Sequence, residues 1–160
     1  MFPRNKRQHG RGRFASAGRT FVVENDRTEN SVAEYSFEIL EAGPCLIAAF
    51  HGEISTHRYT EFRHDYNEIC RRMILADPKR LIIDLTATTY FGSLFVGMIV
   101  KLTISTRNQD GHLALCGLSK QLKELMKQLL LLERDSSIGT RLKHYPTRAE
   151  AVTAMTAINT

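Results

Sequence analysis

The chain contains no tryptophan and only three cysteines among its 160 residues. Cys45, Cys70 and Cys116 lack the spacing of metal ligands, and an odd number cannot all pair as disulfides within the chain. Because each lies in an apolar segment, we expect reduced, buried thiols in a cytoplasmic protein. The sequence also lacks a run of about 20 apolar residues, the length that a membrane-spanning helix requires. Its longest apolar run, residues 90–100, is followed by Lys101.

The common sequence motifs of enzymes are missing as well. There is no His-Glu-x-x-His, no Cys-x-x-Cys and no Gly-x-Ser-x-Gly pattern. The six histidines are scattered and do not follow a ligand pattern. Gly10, Arg11 and Gly12 follow no predicted strand, so they do not form a phosphate loop. We therefore expect no enzymatic activity, no metal ion and no cofactor.

Acidic residues are absent from residues 1–20, which carry six Lys and Arg side chains. The formal net charge of +5 therefore belongs to this segment and not to a basic domain surface. We predict a flexible basic N-terminal arm over residues 1–32 and a folded domain over residues 33–160. Three roles stay open for the arm: a solvated tail, a salt-dependent contact with an acidic membrane or nucleic-acid surface, or a targeting segment. No sequence-specific binding of nucleic acid is predicted.

The rest of the chain alternates between strand and helix patterns. Apolar runs and period-2 alternation predict strands at residues 35–40, 45–50, 81–85, 112–117 and 140–145. Apolar stripes at helical spacing predict helices at Tyr59, Phe62, Tyr66, Ile69 and Met73, after Ser93, at Leu122, Leu125, Met126, Leu129 and Leu130, and at Ala151, Val152 and Met155. The order β-β-α-β-α-β-α-β-α predicts an α/β fold, with one mostly parallel or mixed sheet of four to five strands and about four helices packed on it.

The junction between the third predicted strand and the second predicted helix carries the most informative chemistry. Leu81-Ile82-Ile83-Asp84-Leu85 is followed by a Thr-rich connection, and Gly92 and Ser93 then open a longer apolar run. A serine at a helix start lies near free backbone N–H groups and the positive end of the helix dipole, which favour a phosphate. The plainer interpretation is that Ser93 is an ordinary helix cap.

The segment Gly92-Ser93-Leu94-Phe95-Val96-Gly97 resembles the Asp-Ser-Ser-Gly-Leu-Gly motif of STAS domains, and the resemblance extends over roughly residues 33–158. The serine position and the last glycine match, while Gly92, Leu94 and Phe95 depart from the motif, which is therefore degenerate. STAS domains occur in bacterial anti-sigma factor antagonists and in the cytoplasmic tails of sulfate transporters. In the antagonists, the partner anti-sigma factor is also a kinase that phosphorylates the first serine. Gly52-Glu53-Ile54-Ser55 is similar to a Gly-Glu-Leu-Asp segment of the same family.

This resemblance implies a cytoplasmic STAS-type single domain that acts in transcription regulation by partner switching. It would bind an anti-sigma factor with serine kinase activity, and phosphorylation of Ser93 would end that binding. The residues expected to contact the partner are Gly52, Glu53, Ser55, Thr56, Gly92, Ser93, Leu94, Phe95 and Met98. The helix after Ser93 is apolar over nearly its whole surface, so Phe95 and Met98 are predicted to be exposed contacts.

Two other functions stay open. A STAS accessory subunit would dock on the ATPase of a membrane transporter through the same helix without being phosphorylated. A small-ligand or nucleotide sensor is implied by family analogy alone.

A second segment, Asp135-Ser136-Ser137-Ile138-Gly139, spells the motif more literally. It follows a predicted helix over residues 129–134 and not a strand, so we expect a loop without a switch role. The sequence leaves open whether Asp84 and Asp65 meet in space.

Overall fold

A computed structural model describes residues 21–22, 36–55, 59–129, 131–132 and 142–158. The strands are β1 (Phe21–Val22), β2 (Ser36–Ala42), β3 (Cys45–Ile54), β4 (Arg80–Phe91), β5 (His112–Cys116) and β6 (Lys143–Tyr145). The helices are α1 (Tyr59–Leu75), α2 (Ser93–Arg107), α3 (Lys120–Gln128) and α4 (Arg148–Thr156).

The strands form one sheet in the order β1-β2-β3-β4-β5-β6. The pairs β1–β2 and β2–β3 are antiparallel, and the three pairs from β3 to β6 are parallel. This confirms the predicted α/β fold with a mostly parallel sheet and four helices. Strand β1 is an addition that lies inside the predicted N-terminal arm. The rest of the arm is outside the described residues, so the domain boundary at residue 33 stays a prediction.

The sheet separates two apolar cores. Along β4, Leu81, Ile83 and Leu85 point to one face, where they pack with residues of α1, α2 and α3. Ile82 points to the other face, where it packs with residues of α4 such as Met155. Because successive side chains of a strand alternate between faces, the buried first half of β4, residues 80–85, supplies both cores.

The edge of the sheet at β6 differs from the prediction. Helix α3 ends at Gln128, and Leu132 forms a parallel bridge with Leu142, so the helix predicted over residues 129–134 is wrong at residues 129, 131 and 132, while residues 130, 133 and 134 lie outside the described residues. Leu129, predicted to face the core, is 42% exposed. An extended conformation that bridges to the sheet is favoured over a helix at Leu132, because it buries the side chains of Leu132 and Leu142. The Asp135-Ser136-Ser137 segment lies outside the described residues.

Strands β3 and β4 are longer than predicted. The Thr-rich stretch predicted as a connection is the second half of β4, which continues to pair with β3 as far as Ile54 and Phe91. Two register shifts, between Ala49 and His51 and between Gly52 and Glu53, accommodate this extension. Threonine and aromatic residues favour extended backbone, so the strand continues wherever a neighbouring strand can pair with it.

Candidate functional site

The paired ends of β3 and β4 bring together two segments that are predicted separately from the sequence. Glu53 lies opposite Tyr90, and Ile54 lies opposite Phe91. The backbone N–H of Gly92 then donates a hydrogen bond of 3.0 Å to the Ile54 carbonyl. As a result, the segment from Gly52 to Ser55 is adjacent to the start of α2.

Ser93 is the first residue of α2, and its side chain is exposed. The cap position belongs to Gly92, whose extended backbone (φ −96°, ψ 179°) provides no side-chain cap. The Gly92 carbonyl accepts hydrogen bonds from the N–H groups of Phe95 and Val96, at 3.1 and 3.3 Å. The interpretation of Ser93 as an ordinary helix cap is therefore wrong.

The Ser93 hydroxyl is chemically available. Within the described part of the chain it has no hydrogen-bond partner. The first turn of α2 contains no acidic side chain, so nothing there neutralises the positive end of the helix dipole. The first N–H groups of a helix lack partners inside the helix, so they point toward any group bound at the helix start. An anionic group on Ser93 would be stabilised at this position.

The predicted exposure of Phe95 and Met98 is wrong. Phe95 is completely buried, and Met98 is 6% exposed. The Phe95 ring packs edge-on against Phe50 with 4.9 Å between centroids, and it lies 5.4 Å from the ring of Phe91. These residues face the sheet because α2 covers it closely, and the spacing of Phe95, Met98 and Leu102 forms the inward stripe.

The exposed apolar residues beside Ser93 are different ones. Leu94 is 38% exposed on the outer face of α2, and Tyr90 is 52% exposed near the end of β4. Tyr90 is not among the residues expected to contact the partner, because the sequence predicts a connection and not a strand after Leu85. Gly97 is exposed one turn further along α2, and a Cβ added there would meet nothing within 4 Å.

Gly52, Glu53 and Ser55 are partly exposed, while Thr56 is outside the described residues. We use the name Ser93 surface for Gly52, Glu53, Ser55, Tyr90, Gly92, Ser93 and Leu94. This surface combines one acidic side chain, two apolar side chains and a free hydroxyl at a helix start. It is suited to bind a protein partner and to be altered by an added negative charge.

A half-buried ion pair lies on the face of the sheet opposite α2, with the carboxylate buried and the guanidinium partly exposed. The Asp84 carboxylate accepts hydrogen bonds from the backbone N–H (2.9 Å) and hydroxyl (2.6 Å) of Thr86, and it pairs with the guanidinium of Arg148 at the start of α4. Burial acts to raise the pKa of Asp84, but the bonds from Thr86 and Arg148 together lower it. Asp65 lies on α1, on the other side of the sheet, so it does not form a pair with Asp84.

The cysteines are free, but their environments differ. Cys45 and Cys116 are buried as predicted, whereas Cys70 is only partly buried. Burial and the neighbouring Asp84 carboxylate raise the pKa of Cys116 to about 12, which keeps its thiol protonated. Among the described residues, no group of three or more His, Cys, Asp and Glu side chains could hold a metal ion. None of the described helices has the length and apolarity needed to cross a membrane.

The fold defines a class of small α/β domains with a mostly parallel sheet, and the comparison with protein families identifies that class. The STAS domain model matches residues 36–151. The chain therefore belongs to the STAS domain family. No curated protein has a significant match to the chain.

Several solved structures share the fold. An anti-sigma-factor antagonist (STAS) domain protein from Planctomyces limnophilus is 23% identical, with a TM-score of 0.60, over 74% of this chain and 96% of that chain. An anti-sigma factor antagonist from Mycobacterium paratuberculosis is 14% identical, with a TM-score of 0.60, over 77% and 95%. The unphosphorylated form of the antagonist SpoIIAA is 13% identical, with a TM-score of 0.55, over 76% and 99%. The chain is thus similar in fold to anti-sigma factor antagonists.

Proposed function

We propose that this chain is an anti-sigma factor antagonist-like interaction module. It binds a kinase-type anti-sigma factor through the Ser93 surface, and phosphorylation of Ser93 ends that binding. The observation that carries this proposal is the hydrogen bond between Gly92 and Ile54, which joins an exposed serine at a helix start to a second surface segment. The description of SpoIIAA as an antagonist in an unphosphorylated form supports the same interpretation.

The position of Ser93 suits a phosphoacceptor. In the proposed reaction, the Ser93 hydroxyl oxygen attacks the γ-phosphorus of a nucleoside triphosphate bound to the kinase. A new P–O bond forms on serine, the bond to the bridging oxygen breaks, and the nucleoside diphosphate leaves. A base of the kinase accepts the hydroxyl proton. The product phosphate lies at the start of α2, where the free N–H groups and the helix dipole stabilise it, so the domain keeps its fold.

The same phosphate would weaken a partner contact. It adds about two negative charges next to the exposed Leu94 and three residues from the exposed Tyr90. A partner that covers these side chains would have to remove water from the phosphate, which costs free energy unless a cation compensates. Glu53 adds further negative charge on the neighbouring strand. Phosphorylation would therefore favour the free domain over the complex.

The test compares the wild type with two variants as affinity baits in a native cell extract, followed by mass spectrometry. Ser93→Glu adds a negative charge on the Ser93 surface. Thr153→Glu is the matched control, because Thr153 is exposed on α4 at the other face of the sheet. We expect a kinase-type anti-sigma factor with wild type and Thr153→Glu, its loss with Ser93→Glu, and a phosphoserine at position 93 after incubation with that partner and ATP.

A partner retained equally by all three baits would refute the phosphorylation switch. If that partner is the ATPase of a membrane transporter, the function is that of an accessory subunit. If no protein is retained and a small molecule raises the unfolding temperature instead, the domain is a ligand sensor.

A further inference from the structure

The end of the domain opposite Ser93 contains a cleft of about 260 Å³ between the β2–β3 turn and the end of α1. Its lining includes two acidic residues, Glu41 and Asp77, one basic residue, Arg72, which pairs with Glu68, and apolar residues such as Pro44 and Leu75. Leu75 is 79% exposed, an unusually high value for a leucine at the end of a helix that otherwise packs on the sheet. We refer to this site as the basal cleft.

Strand β1 runs toward the basal cleft when it is followed in the N-terminal direction. Phe21 lies opposite Ile39 and Val22 lies opposite Glu38 in an antiparallel pair. If the same register continues by two residues, Arg19 lies directly opposite Glu41, and the next residues reach the β2–β3 turn. Glu41 is exposed, so it is accessible to a basic side chain.

The two faces of β2 decide on which side this contact would form. Ile39 belongs to the core that α1 covers, and Glu41, two residues further along the strand, points to the same face. The end of α1 with Leu75 lies on that face. Opposite residues of an antiparallel pair share a face, so Arg19 would also lie on the α1 side.

We propose that residues 11–20 of this chain occupy the basal cleft as an extension of β1, with Arg19 paired to Glu41. This segment carries three arginines, no acidic residue and one aromatic residue, Phe14. Its arginines and its aromatic ring complement a cleft that has one more acidic than basic side chain, with the basic one (Arg72) already paired to Glu68, and that is otherwise largely apolar. The pairing adds backbone hydrogen bonds along the free edge of β2, which a sheet edge offers to any extended segment in register.

This contact fixes the basic arm far from the Ser93 surface. Strand β3 begins at the basal cleft with Cys45 and ends beside Gly92 with Ile54, a length of about 30 Å at 3.3 Å per residue. The arm therefore leaves the Ser93 surface open, and a polyanion bound to the arm does not compete with a partner of Ser93.

Disulfide trapping in the full chain tests the register. The variant Arg19→Cys/Glu41→Cys is made in a Cys45→Ser/Cys70→Ser background, because Cys45 lines the basal cleft and Cys70 is only partly buried, whereas Cys116 is buried. Residues opposite each other in an antiparallel pair have Cα atoms about 4.5–5.5 Å apart, within the range for a disulfide. The matched control is Arg19→Cys/Glu38→Cys, since Glu38 lies about 10 Å further along β2 and points to the other face.

After mild oxidation at low protein concentration, we expect the 19/41 variant to lose both introduced thiols and the 19/38 variant to keep them. Mass spectrometry of the unreduced digest should join the peptides of positions 19 and 41 within one chain. No link, equal links in both variants, or a link between two chains would each overturn the proposal; the last would assign the cleft to the arm of a second copy.

A charge swap gives a second measurement without introduced cysteines. Arg19→Glu and Glu41→Arg should each speed amide hydrogen exchange at residues 41–43, by up to about fivefold at low salt, which is the range of an exposed ion pair. The double variant should restore the wild-type rates. Additive effects of the two substitutions would contradict the pairing.

Discussion

Leu94 and Phe95 are adjacent in the sequence but lie in opposite environments on α2. Phe95 is completely buried among Phe50, Phe62 and Phe91, whereas Leu94 is 38% exposed. We predict that Phe95→Ala lowers the free energy of unfolding by about 3–5 kcal/mol, because it leaves a cavity in the aromatic core. Leu94→Ala should change it by no more than about 0.5 kcal/mol. Urea denaturation of both variants is the measurement, and equal losses would contradict this assignment of faces.

Leu94→Ala should nevertheless weaken binding of the partner at the Ser93 surface. A titration of the captured partner with this variant separates a contact role from a folding role. An unchanged dissociation constant would remove Leu94 from the proposed interface.

Substitution by alanine should have opposite effects on the stability of the domain at two glycines. At Gly97 an added Cβ meets nothing within 4 Å, so Gly97→Ala should stabilise α2 by about 0.5–1 kcal/mol. Gly117 has φ +71°, and a Cβ there would lie 2.1 Å from the Thr86 hydroxyl and 2.7 Å from its Cα. We expect Gly117→Ala to destabilise the domain by about 2 kcal/mol or more. Thermal unfolding of the two variants checks both signs, and a stabilised Gly117→Ala would be the clearest contradiction.

At the scale of elements, the start of α2 lacks the side-chain cap that α3 and α4 possess. Ser119 caps α3 and Thr147 caps α4, while Gly92 offers no side chain. Any residue can adopt the extended backbone conformation of Gly92. Gly92→Asp should therefore add a side-chain cap and a negative charge that interacts favourably with the helix dipole. We predict a gain of about 0.5 kcal/mol in the free energy of unfolding.

The control Gly92→Asn supplies a cap without the charge. It should give only the smaller, salt-independent part of the gain, whereas the extra gain of Gly92→Asp should decrease with salt. If neither variant is more stable than wild type in urea denaturation, the missing side-chain cap does not limit the stability of α2.

The paired extension of β3 and β4 determines the position of the Ser93 surface. Without it, residues 86–90 would be a flexible connection, and the segment from Gly52 to Ser55 would have no fixed relation to Ser93. Pairing of Glu53 with Tyr90 and of Ile54 with Phe91 makes the surface part of a rigid sheet. A protein interface built on such an element loses less conformational entropy on binding than one built on a loop.

At the scale of the whole molecule, α4 covers one face of the sheet while three helices cover the other. The pair of Asp84 with Arg148 attaches the start of α4 to the centre of the sheet. The Asp84 side chain is 2% exposed and that of Arg148 is 42% exposed. Arg148→Met should therefore lower the free energy of unfolding by about 1–2 kcal/mol at neutral pH, because it leaves a buried carboxylate with one partner fewer. The loss is smaller than for a fully buried ion pair.

The effect should depend on pH in a defined direction. The folded protein lowers the pKa of Asp84 below its unfolded value of about 3.9. The stabilisation is therefore complete above about pH 4 and is lost as the pH falls through the lowered pKa in the folded state. Urea midpoints of wild type and Arg148→Met should converge under these acidic conditions. Lys127→Met, which removes an exposed pair with Glu124, is the control and should leave the midpoint unchanged.

The order of the strands and helices and the mostly parallel sheet could be predicted from the sequence alone. These features depend on local signals: the apolar run 81–85, the helical stripe from Phe62 to Met73, and the small residues between strand and helix. Such signals are reliable because hydrophobic periodicity follows from the geometry of one element and needs no knowledge of its neighbours.

Which residues of the candidate site are exposed could not be predicted from the sequence, because exposure depends on how α2 and β4 pack. Phe95 and Leu94 belong to the same apolar run, and the side of α2 that meets the sheet separates them. Tyr90 is part of the Ser93 surface because β4 continues to pair with β3, and Ser93 is not the helix cap because it is the first residue of α2 and Gly92 holds the cap position. Contacts between segments distant in sequence fix these features, because burial and pairing depend on the neighbouring element and not on local composition.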